Sequence, residues 1–247
     1  MVRLTRRDVA LFDWFATVRI ANMEALRWAL PAAAGSAAPV TVRKAQHWCA
    51  RMEALELVKR EQLFQIGGAV VWPTATWASA RQPHLLSQTT RHEVSVSIVS
   101  ARYLAAGYEW FRDRPAKNGY EHQADGIARK GSTLDAVEVE LTAKRPQRYG
   151  AIFRAFDVRL QRGEITHVTY FTNVAGGRAI QQALSGSAVP ASGRSRLRVV
   201  PVFDDRGHWY GDEQPVELGG EWTAPALPAP VDRSNSRQPN LFESDPR

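Results

Sequence analysis

Apolar residues recur at helical spacing in three segments near the start of the chain. Thr5, followed by Asp8, is a typical start signal for a helix, and its apolar face continues to Val18. Asn22 precedes a second, shorter helix predicted over residues 23–30. Thr41 precedes a third predicted over residues 42–57. The pattern therefore predicts a small helical unit.

A β-hairpin follows these helices. Residues 63–66 and 69–72 are apolar or β-branched and flank Gly67-Gly68. Three helices and a hairpin follow each other in a winged helix-turn-helix, whose third helix enters the DNA major groove while the hairpin contacts the backbone. The side chains predicted to contact DNA are Arg43, Lys44, Gln46, His47 and Arg51 on the third helix, with Lys59 and Arg60 before the hairpin. The alternative is a helical protein-interaction module with ordinary surface residues.

The middle of the chain alternates between helical and strand patterns. Helices are predicted over residues 91–106, 146–160 and 177–184, and strands over 108–112, 122–128, 135–142, 165–172 and 197–203. This order predicts a mixed sheet flanked by helices, an α+β or α/β fold. It matches the αβββαβ core of the PD-(D/E)XK nuclease superfamily.

The predicted strand at 135–142 carries unusual polar residues. Val137, Val139 and Leu141 alternate with Glu138 and Glu140, which places two carboxylates on one face. Two such carboxylates repel each other unless positive charge lies between them.

With Asp125 upstream and Lys144 downstream, this strand resembles the metal site of the PD-(D/E)XK superfamily. The resemblance implies that Asp125, Glu138 and Glu140 bind Mg²⁺, or Mn²⁺ as a substitute, and that Lys144 contacts the scissile phosphate.

The site departs from the superfamily pattern at one position. Glu140 stands where a lysine is usual, and either Glu93 or Glu109 is available as a further acid. Alternatively, the strand lies on the surface and its glutamates pair with Lys144 or nearby arginines. Single histidines, including His92 and His122, are expected to be packed or hydrogen-bonded rather than metal ligands.

The overall charge favours a polyanionic partner. The 247 residues carry a formal charge of +7, with 32 Lys and Arg against 25 Asp and Glu, and double-stranded DNA is the first candidate. Cys49 is the one cysteine, so no internal disulfide can form. No leader or membrane-spanning segment is recognisable, so a cytoplasmic protein without membrane contact is expected.

Several short motifs together resemble the replication-relaxation family of plasmids and integrative elements. They are Leu4 to Asp8, Met52 to Arg60, His92, His122 to Gly126, Val137 to Lys144 and Arg148-Tyr149. The resemblance implies a role in replication, relaxation or transfer of mobile DNA. The chain departs from it at Ala124, where Pro is common, and at Asp113, where a Glu is expected.

The end of the chain is rich in Pro, Ser and Arg. Residues 206–247 are expected to be mostly disordered, and Gln238, Leu241 and Phe242 resemble the bacterial sliding-clamp motif. The predicted domains are thus 1–77, a linker at 78–90, 91–205 and this tail. Three functions stay open: a DNA endonuclease, a non-catalytic replication accessory or transcriptional regulator whose nuclease-like unit serves as a scaffold or homodimer surface, and a clamp-binding adaptor.

Overall fold

The computed structural model describes residues 3–75, 83–87, 89–187 and 189–211. Gln238, Leu241 and Phe242, and nearly all of the predicted tail, lie outside the described residues. Within these ranges, seven α-helices and two sheets form a mixed α and β structure, which confirms the predicted class. None of the described helices is long and apolar enough to cross a membrane.

The first unit contains three helices and a small antiparallel sheet. The helices are α1 (Arg6–Val18), α2 (Met23–Ala32) and α3 (Val42–Ala54). Each begins behind a side chain that accepts a hydrogen bond from the first turn, from Thr5, Asn22 and Thr41 in order. The strands are β1 (Ala21–Asn22), β2 (Val58–Leu63) and β3 (Gly68–Pro73), and their order in the sheet is β1-β3-β2.

The hairpin begins earlier than predicted. Its first strand starts at Val58, so α3 ends at Ala54 and not at residue 57. Residues 64–66, predicted as strand, form a short 3-10 helix that ends at Gly67 with a left-handed φ of 69°. The four inner residues of β2 are all exposed, so buried and exposed positions do not alternate along it. The sequence therefore carries no strand signal there.

The second unit is a five-stranded sheet with helices on both faces. Its elements are α4 (Thr89–Ala105), β4 (Glu109–Phe111), β5 (Gly126–Lys130), β6 (Thr133–Glu140), α5 (Pro146–Gln161), β7 (His167–Asn173), α6 (Val174–Ser185), α7 (Ala191–Arg194) and β8 (Leu197–Phe203). The strand order is β4-β5-β6-β7-β8. The first two pairings are antiparallel and the last two are parallel.

The alternation of β6 separates two layers. Val137 and Val139 belong to the hydrophobic core that includes α4, whereas Ala136 packs with Phe153 and Phe156 of α5. Glu138 and Glu140 have the same parity as Ala136. They therefore point to the face covered by α5 and α6.

Helix α4 joins the two units into one core. A continuous hydrophobic cluster runs from α1 and α2 through α4 to the sheet. Arg102 of α4 is buried, donates to Glu24 of α2 at 2.6 Å and lies 3.9 Å from the ring centre of Trp209. Trp14 Nε1 also donates to Ser100 Oγ at 2.9 Å.

Candidate functional site

Asp125 lies immediately before β5 and joins it to β6. The Asp125 amide donates to Val137 O at 3.0 Å, and Asp125 Oδ2 accepts from the Val139 amide at 2.8 Å. The sequence placed Asp125 inside a strand over 122–128, but the strand begins at Gly126. Asp125 therefore lies at the strand end, with its carboxylate held against the neighbouring strand.

A histidine from α4 contacts the same carboxylate. His92 Nε2 lies 3.1 Å from Asp125 Oδ2 and 3.1 Å from Val139 O. Both partners are acceptors, so Nε2 carries the proton that it donates. Asp125 Oδ2 and Val139 O therefore both face the same position, which His92 Nε2 occupies.

Glu138 is buried on the opposite side of the same strand pair. Its Oε1 accepts from His122 Nε2 at 2.9 Å, and the His122 ring packs edge-on against Phe156. The sequence predicted a strand over residues 122–128, which would include His122. Residues 121–124 form a loop instead, so His122 turns towards Glu138.

Glu140 is paired with Lys144. The Lys144 ammonium contacts Glu140 Oε2, and the Lys144 amide donates to the hydroxyl of Tyr149 at 3.0 Å. Gly176 at the start of α6 packs directly on Glu140: a Cβ there would lie 2.9 Å from Glu140 O. The close approach of α6 therefore covers Glu140, while Lys144 stays partly exposed.

The charges of the cluster act on one another. Burial raises the pKa of Glu138, and the charge of Asp125 raises it further, against the effect of His122. Burial lowers the pKa of Lys144, while Glu138 and Asp125 partly oppose this. Burial alone would lower the pKa of His92, but the hydrogen bond and charge of Asp125 leave it raised. Asp125, Glu138 and Lys144 therefore lie within electrostatic reach of each other.

Tyr170 adds a buried hydroxyl beside this cluster. It stands opposite Glu138 in the β6–β7 register, and Glu138 contributes to raising its pKa after burial. In the part of the chain that the structure describes, its hydroxyl has no hydrogen-bond partner. The sequence analysis did not single out Tyr170, because an aromatic residue in a strand gives no signal beyond packing.

The other acids considered from the sequence lie elsewhere. Glu109 pairs with Arg129 at 2.7 Å on β4 and β5. Asp113 is buried in a two-armed ion pair with Arg159 of α5, at 2.7 and 2.9 Å, and also accepts from the Ala124 amide. Asp113 therefore anchors the loop that carries His122.

The outer face of α3 is polar and basic. Arg43, Lys44, Gln46 and His47 are exposed, while Trp48, Cys49 and Met52 are buried against α1 and α2. The exposed face is therefore open to a partner along the first two turns of the helix.

Two other residues predicted to contact DNA are engaged within the protein. Arg51 donates to the buried carboxylate of Asp8 at 2.6 Å, and Arg60 pairs with Glu53 at 3.0 Å. Lys59 is exposed on β2. At the hairpin tip, Phe64 is 97% exposed.

Among the described residues, no three His, Cys, Asp or Glu side chains are already arranged as a metal site. Comparison with known proteins found no match to any family model, curated protein or solved structure. The family resemblance noted from the sequence stays a prediction.

His92 and His122 were expected to be packed or hydrogen-bonded rather than metal ligands, and each is hydrogen-bonded to an acid of the cluster. The sequence reasoning did not assign either histidine to its carboxylate. The one available signal was their presence among the motifs quoted for the replication-relaxation resemblance.

Proposed function

We propose that this chain is a double-stranded-DNA-binding protein of a mobile element whose second unit is a metal-dependent DNA endonuclease of the PD-(D/E)XK type. The observation that carries the proposal is that Asp125 is hydrogen-bonded to the backbone on both sides of Glu138, at Val137 O and the Val139 amide, while the charges of Asp125 and Lys144 both act on the pKa of Glu138. The winged helix-turn-helix assignment of the first unit belongs to the same proposal.

The residues present fit a divalent cation. Asp125 and Glu138 repel each other, and the Glu138 carboxylate is nearly inaccessible to solvent, so a cation near them would relieve an unfavourable arrangement. Asp125 and the carbonyl of Val139 offer oxygens, which Mg²⁺ and Mn²⁺ prefer. Asp125 and Glu138 would hold the ion, with Glu140 as the third acid. When bound, the ion would activate water and offset negative charge on the phosphate.

The surrounding residues have roles of their own. His92 and His122 orient the two carboxylates through single hydrogen bonds. Lys144 is held next to the acids by Glu140 and is partly exposed, so its ammonium can meet a phosphate oxygen at the mouth of the site. Lys144 is four positions after Glu140, and the chain folds it back onto that residue.

The exposed face of α3 supports duplex binding. Arg43 and Lys44 stand in its first turn, followed by Gln46 and His47, and none of these four side chains is buried. Arginine and lysine contact phosphates or guanine, and glutamine contacts adenine. Arg51 and Arg60 are engaged in ion pairs, so they are expected to contribute less.

A nicking assay tests the catalytic part. The purified protein is incubated with supercoiled plasmid and Mg²⁺ or Mn²⁺, and the nicked form is quantified. We expect nicking that is abolished by Glu138→Ala and strongly reduced by Lys144→Ala. Glu164→Ala is the matched control, because Glu164 is an acid outside the cluster that pairs with Arg114. Nicking that persists in Glu138→Ala would overturn the catalytic assignment.

A gel shift tests the DNA-binding part separately. Arg43→Ala should weaken duplex binding and lower the slope of log affinity against log salt by about 0.9, the value for one phosphate contact. Arg162→Ala is the control, because Arg162 follows the last residue of α5 in the second unit and does not belong to α3. Equal binding by the two variants would remove α3 from the interface.

A second candidate function rests on a specific observation. Each acid of the cluster already has a basic partner, namely His92, His122 or Lys144. This arrangement also suits a non-catalytic DNA-binding protein in which the cluster stabilises the fold. Duplex binding that depends on Arg43, combined with no cleavage under any metal condition, would favour this candidate.

A further inference from the structure

A cleft between α5 and α6 opens beside Lys144. It has a volume of about 460 Å³, and its lining includes Lys144, Gly150, Arg154, Gln182, Ala183 and Ser187. Five of the described lining residues are glycine, alanine or serine, so a ligand could approach the helix backbones closely there. The cleft shares Lys144 with the acidic cluster and shares no lining residue with α3.

The charge of this cleft is one-sided. Of the described residues that line it, Lys144 and Arg154 are cationic and none is acidic. The guanidinium of Arg154 folds back along α5, since a Cβ at Gly150 would lie 3.6 Å from Arg154 Nη1. By contrast, the cleft beside β2 mixes Lys59 and Arg60 with three glutamates. The α5–α6 cleft is therefore suited to an anion.

Lys144 connects the cleft to the acidic cluster. Its ammonium contacts Glu140, and its pKa responds to both Glu138 and Asp125. An anionic group in the cleft would thus meet the Lys144 ammonium at one end and the Arg154 guanidinium at the other. Gln182 and Ser187 add an amide and a hydroxyl to the lining of the cleft.

We infer that this cleft binds one nucleotide of an unpaired DNA strand next to the position of cleavage. Its volume of about 460 Å³ lies in the range of small-ligand sites, about 300–1,000 Å³, so it suits a single nucleotide rather than a base-paired segment. Basic side chains along a groove are the usual means of holding single-stranded nucleic acid. The inference rests on the proposed function, and it adds where one DNA strand would lie relative to the acidic cluster.

Fluorescence anisotropy with a labelled oligothymidylate of about 12 nucleotides tests the inference. Arg154→Glu should weaken binding about tenfold or more, as expected for the loss of a charge-assisted contact. It should also lower the salt slope by about 0.7. Ala183→Phe fills the cleft without changing charge and should weaken binding too. Arg162→Glu is the matched charge reversal, because Arg162 is exposed at the other end of α5.

The outcomes separate this inference from the proposed function. If Arg154→Glu and Ala183→Phe bind the oligonucleotide as well as Arg162→Glu does, the cleft assignment is wrong, while plasmid nicking can still be intact. Competition by inorganic phosphate or thymidine monophosphate as strong as that by the unlabelled strand would also overturn it, since the ligand would then be a free anion. Loss of nicking in Glu138→Ala, together with weaker oligonucleotide binding by Arg154→Glu and Ala183→Phe than by Arg162→Glu, would support both assignments.

Discussion

Asp135 offers the sharpest test of the sheet's packing. It lies in β6 on the face towards α4, where its carboxylate accepts from the hydroxyl of Tyr103 at 2.6 Å and from Thr169 at 2.8 and 3.1 Å. The residue is only 1% exposed. Burial raises its pKa from 3.8 to about 6, although both hydroxyls and the charge of Arg198 oppose the rise. We predict that Asp135→Asn changes how stability depends on pH.

The magnitude follows from that pKa. One pKa unit corresponds to about 1.4 kcal/mol, so a rise from 3.8 to about 6 means that ionised Asp135 costs the folded state about 3 kcal/mol. Because the folded protein binds the proton more tightly than the unfolded chain, this cost is absent below pH 3.8. It grows as the pH rises and is complete above pH 6. About 2 kcal/mol of it falls between pH 4 and pH 7.

Urea denaturation at several pH values between 4 and 7 measures the effect. The free energy of unfolding of Asp135→Asn, relative to the wild type, should rise by about 2 kcal/mol across this range. Tyr103→Phe should increase the pH dependence of the wild type, because it removes a hydrogen bond that favours the ionised form. Asp157→Asn on α5 is a matched control for the change of side chain. If the difference in the free energy of unfolding between Asp135→Asn and the wild type does not change with pH, the raised pKa of Asp135 is refuted.

Two further predictions concern Asp8 and Gly126. Burial would raise the pKa of Asp8, but hydrogen bonds from Thr5, Trp48 and Arg51 lower it to about 2, so it contributes about 2 kcal/mol above pH 4 that is lost as the pH falls through 2. Asp8→Asn should therefore lower the free energy of unfolding at pH 7 by about that amount in urea, and an unchanged midpoint would contradict this. Gly126→Ala would place a methyl 2.1 Å from the Trp110 ring and should cost about 1–3 kcal/mol in thermal denaturation. Gly119→Ala, with open space around it, is its control, and equal stability of the two would show that Trp110 yields.

The parts of the fold that could be predicted from the sequence are those fixed by local signals. Thr5 and Asp8 form the expected reciprocal hydrogen bonds at the start of α1, and Thr41 caps α3. Pro146 begins α5, and β8 has the predicted bounds. At the helix starts, residues within four positions decide the conformation, so a single sequence contains the information.

The parts that could not be predicted depend on distant contacts. The loop before β5 is held by the ion pair between Asp113 and Arg159, residues 46 positions apart. This anchor ends the regular strand pattern and turns His122 towards Glu138. The contact of His92 with Asp125 spans 33 positions and depends on where α4 packs. Neither partner could be assigned to its carboxylate from spacing alone.

Asp135 and Glu138, two of the three buried carboxylates of β6, have different surroundings. On the α4 face, both carboxylate oxygens of Asp135 accept hydrogen bonds from neutral hydroxyls. Glu138, on the α5 face, meets a second carboxylate, a histidine and a lysine, and the hydroxyl of Tyr170 nearby has no partner among the described residues. A structural carboxylate needs only donors, and Asp135 has them. Burial and the charge of Asp125 both disfavour ionised Glu138, and under the proposed function a bound cation would offset this cost.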